Sequence, residues 1–239
     1  MNLQGKTAII TGASSGIGAA FSNALIDKGA TVYGLARNGD KLQRNRDHFG
    51  EAFIPVVADI TDQNALEQWV NQTFVDEDYP DILVNNAGLG YFGNVDELTI
   101  EEWETMINTN LSGVFYLTRM VVPLMKEYEA TCHIINIASI AGKLGNPPLS
   151  GYNASKFGLS GFSEALFKEL RYDAIKVTCL YPGSIATHFF DNAKSDTHSN
   201  MMQPRDVAKV LTDVLETPDN FLISDVTMRP LNPKRPENE

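Results

Sequence analysis

Short apolar runs alternate along the chain with longer stretches whose apolar residues recur at helical spacing. Residues 6–11, 31–36, 53–58, 81–84, 133–138, 175–181 and 221–227 carry β-branched and aromatic residues over strand lengths. Between them, helices are predicted after the 12–18 glycine turn to about 29, from 62 to about 78 with Asp62 as cap, and over 101–128, 151–172 and 204–216. The 101–128 stretch is interrupted midway by Asn108, Asn110, Ser112 and Gly113, where an amide can bond backbone groups and disturb the helix. Six or seven strands alternating with helices, each informative turn following a strand, predict a doubly wound, mostly parallel α/β sheet. Its ligands should bind at the C-terminal edge of the strands. A single domain is expected over 1–231, with a frayed tail at 232–239.

The strand ends carry the chemistry. After the first strand, Gly12-Ala13-Ser14-Ser15-Gly16-Ile17-Gly18 leads into a helix. Glycines let the backbone turn tightly against a pyrophosphate, and the helix N-terminus offers free N–H donors. The second strand ends at Ala36-Arg37, with no carboxylate to bind a ribose hydroxyl. The planar guanidinium of Arg37 suits a 2′-phosphate, with Ser14 as a helper, which predicts NADP(H) over NAD(H). Asp59 and Ile60 follow the third strand, at an edge where an adenine can rest. After the fourth, the amides of Asn85 and Asn86 can satisfy neighbouring backbone, and Ala87-Gly88 keeps the surface low for a flat ring. Pro182-Gly183 turns the chain again at the same edge and opens a segment, 184–203, that reads as a substrate flap with Phe189 and Phe190 as apolar lining. Phe92 and Leu144 are expected beside them in a partly apolar substrate pocket.

Ser139 ends the fifth strand, and Tyr152 and Lys156 lie four apart on the following helix, on one face. A free tyrosine has a pKa near ~10, too high for a base at neutral pH. A neighbouring ammonium is expected to favour the phenolate and bring that pKa toward the working range, while Ser139 hydrogen-bonds the same substrate oxygen.

Nineteen basic against thirty acidic residues give a net charge of -11, which disfavours a nucleic-acid partner. Cys132 and Cys179 sit inside apolar segments and are expected as buried free thiols. The four histidines lack metal-ligand spacing, so no metal is expected. No signal-like N-terminus occurs and no apolar run approaches about 18 residues, so a cytoplasmic protein without a membrane partner is expected.

Thr11-Gly12-x-x-x-Gly16-Ile17-Gly18, Asn85-Asn86-Ala87-Gly88, Asn110, Ser139, Tyr152-x-x-x-Lys156 and Pro182-Gly183 together resemble the short-chain dehydrogenase/reductase family over residues 3 to about 230. The resemblance implies a Rossmann-type fold and an oxidoreductase acting on a carbonyl or secondary alcohol, most similar to ketone and 3-oxoacyl reductases. It implies Tyr152 as acid/base, Ser139 as holder of the substrate oxygen, and Lys156 as both tuner of Tyr152 and ligand of the nicotinamide ribose. Asn110 would anchor a relay water. Gly12, Gly16 and Gly18 would form the pyrophosphate loop, and Asn86, Ala87 and Gly88 the wall beside the adenosine. Ile185 and Thr187 would contact the nicotinamide carboxamide. A homodimer or homotetramer through the 101–128 and 151–172 helices is implied as well. The C-terminal segment Thr227-Met228-Arg229-Pro230-Leu231 departs from the glycine-rich ending of many 3-oxoacyl reductases. A dinucleotide-binding sensor without turnover is the alternative, but it need not retain Asn110, Ser139, Tyr152 and Lys156 together.

Overall fold

The computed structural model describes residues 1–75, 78–187, 189 and 197–236. Strands β1 (Thr7–Thr11), β2 (Thr31–Ala36), β3 (Phe53–Val57), β4 (Ile82–Asn85), β5 (Cys132–Ile137), β6 (Ile175–Pro182) and β7 (Asp225–Met228) form one sheet of order β3-β2-β1-β4-β5-β6-β7. Every pairing is parallel, with Ala8 of β1 in register with Val32 on one side and Ile82 on the other. The strand order therefore reverses between β1 and β4. In such sheets this reversal opens a crevice beyond the strand C-termini.

Helices α1 (Gly16–Ile26), α2 (Gly39–Phe49) and α7 (Pro204–Leu215) cover one face, where Phe21, Leu25, Leu42 and Leu211 pack with Ile10, Val84 and Leu180. Helices α3 (Gln63–Thr73), α5 (Gly113–Glu127) and α6 (Ser150–Leu170) cover the other, through Leu66, Leu117, Val121 and Leu166 against Ile9, Leu83 and Ile134. With both faces covered, β4, β5 and β6 are buried at every residue. That burial explains their continuous rather than alternating hydrophobicity. Each fully buried Val, Leu or Ile among them contributes roughly 1.5–3 kcal/mol. At the opposite edge of the sheet, Asp81 pairs with Lys6 at 2.6 Å and accepts the Thr7 N–H at 2.8 Å, tying the β1 and β4 ends together. Cys132 and Cys179 are free and buried. Among the described residues no helix is long and apolar enough to cross a membrane.

The predicted 101–128 helix is divided into α4 (Ile100–Ile107), a π turn (Asn108–Ser112) and α5, and the Gly113 N–H bonds back to Asn108 O. Asp62 does cap α3, accepting the Ala65 N–H at 3.0 Å, but that helix stops at Thr73 rather than near 78. The last strand begins at Asp225, four residues later than predicted. Phe221, which suggested an earlier start, is 54% exposed. Helix α2 is not predicted by the pattern, because its eleven residues bury only Leu42 and show no apolar period; Asn38 caps it by accepting the Lys41 N–H. Phe115 and Phe157 on α5 and α6 are each 46% exposed. The base of the 184–203 segment is pinned: Ala186 N donates to Met202 O at 2.9 Å and Met202 N to Ser184 O at 3.1 Å.

Candidate active site

The β1–α1 turn lies directly against the loop after β4. Thr11 Oγ1 accepts the N–H groups of both Asn86 and Ala87 at 2.9 Å, and Asn86 Nδ2 donates to Thr11 O at 2.9 Å. Gly12 has φ +68°, and a Cβ there would meet Asn86 Nδ2 at 2.9 Å; one at Gly18 would run into Gly12 O. So close an approach admits no side chain. Gly16 opens α1, whose N-cap residue Ser15 is extended and makes no side-chain cap. The first-turn N–H groups are thus left for an anion. Ser14, Ser15, Gly16 and Ile17 line a cleft of about 370 Å³, with Arg37 and Asp59 at its far end and Ile60, Asn86, Ala87 and Gly88 along its wall. Gly18 lies beneath the turn rather than on this wall. Its bare Cα serves close packing instead. Arg37 is 73% exposed and its guanidinium lies 3.9 Å from the Asp59 carboxylate.

A second cavity of about 220 Å³ shares Ile17, Asn86, Gly88, Thr187 and Phe189 with the cleft and continues toward β5 and α6. Ser139, Tyr152 and Lys156 converge on it, as do Pro182, Gly183 and Ile185. Ser139 heads a short 3-10 turn (Ile140–Gly142), its Oγ accepting the Ala141 N–H at 3.2 Å. Tyr152 is buried in the first turn of α6 and lines the cavity beside Ser139. Burial pushes the phenol up to about 12, against the opposing pull of the Ser139 hydroxyl. The sequence-based expectation of a lowered Tyr152 pKa is thereby corrected. The Lys156 ammonium lies 5.9 Å from the ring centre and donates to Ile137 O at 2.9 Å, and burial lowers its own pKa to about 8. In this state desolvation dominates both groups.

Asn110 sits in the π turn, fully buried. Its Oδ1 accepts the Leu89 N–H at 2.9 Å, while Nδ2 donates to Leu89 O at 2.8 Å and to Ser155 Oγ at 3.0 Å. Ser155 Oγ in turn donates to Tyr152 O at 2.8 Å. The amide therefore clamps the loop carrying Gly88 to the helix carrying Tyr152. A Cβ at Gly88 would stand 3.2 Å from Asn110 Oδ1 and 3.4 Å from Lys156 Nζ.

Sequence reasoning missed Asn153. Its Nδ2 donates to Ala141 O at 2.6 Å and Leu144 O at 2.7 Å, and its Oδ1 accepts the Asn146 N–H at 3.2 Å. One buried side chain thus holds the loop after Ser139 in place. Leu144, expected in the substrate pocket, is 44% exposed and off the cavity wall; Asn146 and Leu149 line it instead. Phe92 and Phe189 both pack against Tyr152, with ring centres 6.0 and 5.6 Å away. Phe190 lies outside the described residues.

Two joined cavities, one walled by a glycine turn and an uncapped helix N-terminus, suit a dinucleotide lying across the strand reversal. Such a cleft, ending at a half-buried Ser and a buried Tyr and Lys, defines the class of dinucleotide-dependent oxidoreductases. The family model described as short chain dehydrogenase matches residues 6–198, and the chain belongs to that family. It is 31% identical over 233 residues, 96% of its length and 99% of the relative's, to an uncharacterized oxidoreductase of Staphylococcus aureus strain USA300. The fold is similar to the closed form of a serine dehydrogenase complexed with NADP+, at TM-score 0.85 and 30% identity over 93% of this chain and 94% of that one. It is equally similar, at TM-score 0.85 and 29% identity over 96% and 98%, to a 3-ketoacyl-(acyl-carrier-protein) reductase of Brucella melitensis complexed with NADH.

Proposed function

We propose that the protein is an NADP(H)-dependent oxidoreductase that transfers a hydride between nicotinamide and a carbonyl or secondary alcohol, working as a ketone or 3-oxoacyl reductase. The observation that carries this reading is the convergence of Ser139, Tyr152 and Lys156 on a cavity continuous with the glycine-turn cleft. The bound cofactor supplies the hydride and accepts it in the reverse direction. Gly12, Ser15, Gly16 and Ile17 would hold the pyrophosphate by their backbone, and Asp59, Ile60, Asn86, Ala87 and Gly88 would border the adenosine. Arg37, whose ion pair with Asp59 is distant and solvent-screened, would hold the 2′-phosphate, helped by Ser14. Lys156 would hold the ribose, while Pro182, Gly183, Ile185 and Thr187 would border the nicotinamide.

With its phenol raised to about 12, Tyr152 is protonated at neutral pH and acts as a proton donor. It gives that proton to the carbonyl oxygen as the carbon accepts the hydride. The C=O π bond breaks, C–H and O–H bonds form, and solvent reprotonates the phenolate. Ser139 holds the oxygen during the transfer. Charge on Lys156 favours the phenolate once the proton has left. Asn110 positions the site through Leu89 and Ser155, and anchors a relay water.

Initial rates of NADPH and NADH oxidation with 3-oxoacyl thioesters, ketones and aldehydes test this. Turnover with NADPH preferred by roughly tenfold or more is expected. Binding of NADPH with no oxidation by any carbonyl would overturn the reading.

A further inference from the structure

Tyr152 does not stand alone in its cavity. Phe92 and Phe189 lean on its ring at interplanar angles of 54° and 56°. All three rings close over Gly90, where a Cβ would meet Phe189 Cζ and Phe92 Cε1 at 3.0 Å and Tyr152 Cδ2 at 3.2 Å. The space in front of the phenol is therefore framed by aromatic faces, and Ile140, Leu149 and Ile185 continue the apolar wall. Among the described lining residues Lys156 carries the sole charge; its ammonium donates to Ile137 O at 2.9 Å and, on the reading above, holds the cofactor ribose. The Lys143 ammonium, on the loop after Ser139, is turned away, 3.8 Å from the centre of the Tyr181 ring and 3.4 Å from Thr227 Oγ1. At the opposite end of the adjoining cleft, Arg37 faces Asp59. A net charge of -11 adds no attraction for an anion.

Among the described residues, a carboxylate entering this space would shed its water and meet no cation beyond Lys156 and no bidentate partner. An alkyl or aryl group would instead replace water against apolar walls. Resting on the reductase reading above, we propose that the substrate is a ketone whose groups next to the reacting carbon are uncharged and apolar, and that free oxo acids are excluded. The serine dehydrogenase and the 3-ketoacyl reductase to which the fold is equally similar represent the two sides of this choice. The cavity walls favour the esterified or thioesterified side.

A matched pair tests it: ethyl acetoacetate and acetoacetate share the reacting carbonyl and differ in one negative charge. With NADPH, kcat/KM for the ester is expected to exceed that for the acid by roughly 100-fold. Leu149→Arg, which adds a cation to the wall, should narrow that ratio by at least about tenfold while leaving the Kd for NADPH unchanged. Equal or faster turnover of the acid, or a ratio unmoved in a folded Leu149→Arg protein, would overturn the substrate assignment and leave the reductase reading standing. No oxidation of bound NADPH by any ketone would overturn both.

Discussion

At the β1–α1 end of the cleft the recognition surface is mostly backbone, with Gly12 and Gly16 at positive φ and an uncapped helix start. Around Ser139 and α6 it is made of side chains brought from distant segments: Tyr152, Phe92 and Phe189 meet over Gly90. A backbone surface binds a chemically fixed group and tolerates little change, since a Cβ at Gly12 or Gly18 collides with the loop after β4. A side-chain surface can be rebuilt residue by residue around the same Ser, Tyr and Lys. The invariant ligand thus belongs to the first end and the particular substrate to the second.

If the two ends divide labour in this way, substitutions should separate their effects. The largest is Tyr152→Phe, which should lower kcat by roughly 10²–10⁴-fold, while the Kd for NADPH, followed by fluorescence titration, stays within about twofold. Retained turnover would remove Tyr152 from the chemistry. Asn153→Ala strands Ala141 O and Leu144 O. Loss of the loop's position should raise KM and reduce kcat/KM by roughly 10–100-fold, again with NADPH affinity intact. An equal loss of NADPH binding would show that the two ends are not separable. Arg37→Ala should do the reverse, weakening NADPH by about tenfold and leaving NADH binding and kcat unchanged.

An effect of a different kind lies away from both ends and concerns stability. His133 is buried beside Thr178, with Nε2 2.8 Å from Thr178 Oγ1 and Nδ1 without a partner. Burial chiefly, then the nearby Lys176 and N-terminal charges, hold its pKa down at about 3 against an ordinary 6.5. The fold therefore favours the neutral ring. Its contribution is complete above pH 6.5 and is lost as the pH falls toward 3, because the unfolded chain takes up the proton first. The unfolding free energy from urea titrations should drop over that window with a slope of up to about 1.4 kcal/mol per pH unit from this residue. His133→Gln should flatten the slope; an unchanged profile would show that His133 protonates in the fold without penalty.

The backbone end was the more legible in the sequence, since glycines and strand ends at fixed spacing mark a turn whatever surrounds them. Asn108 to Gly113 also announced the break that became the π turn. What stayed hidden depends on contacts across the fold. Asn153 looks like a polite helix-surface amide until Ala141 and Leu144 fold back onto it, and Leu144 reads as pocket lining although its loop turns it outward. The direction of the Tyr152 shift was misread for the same reason. Spacing placed Lys156 beside it, but spacing carries no information about the burial that dominates both groups. Helix α2 lacked a clear apolar period because only Leu42 is fully buried, with Phe49 partly buried against Phe53 at the far end.

The central claim is that both ends serve one hydride transfer. Its most direct measurement is a single turnover of the protein loaded with NADPH deuterated at the nicotinamide C4 and mixed with ethyl acetoacetate. The account predicts one equivalent of alcohol carrying deuterium on the former carbonyl carbon, formed by the wild type and not by Tyr152→Phe. Bound cofactor that stays reduced, or alcohol without deuterium, would contradict it.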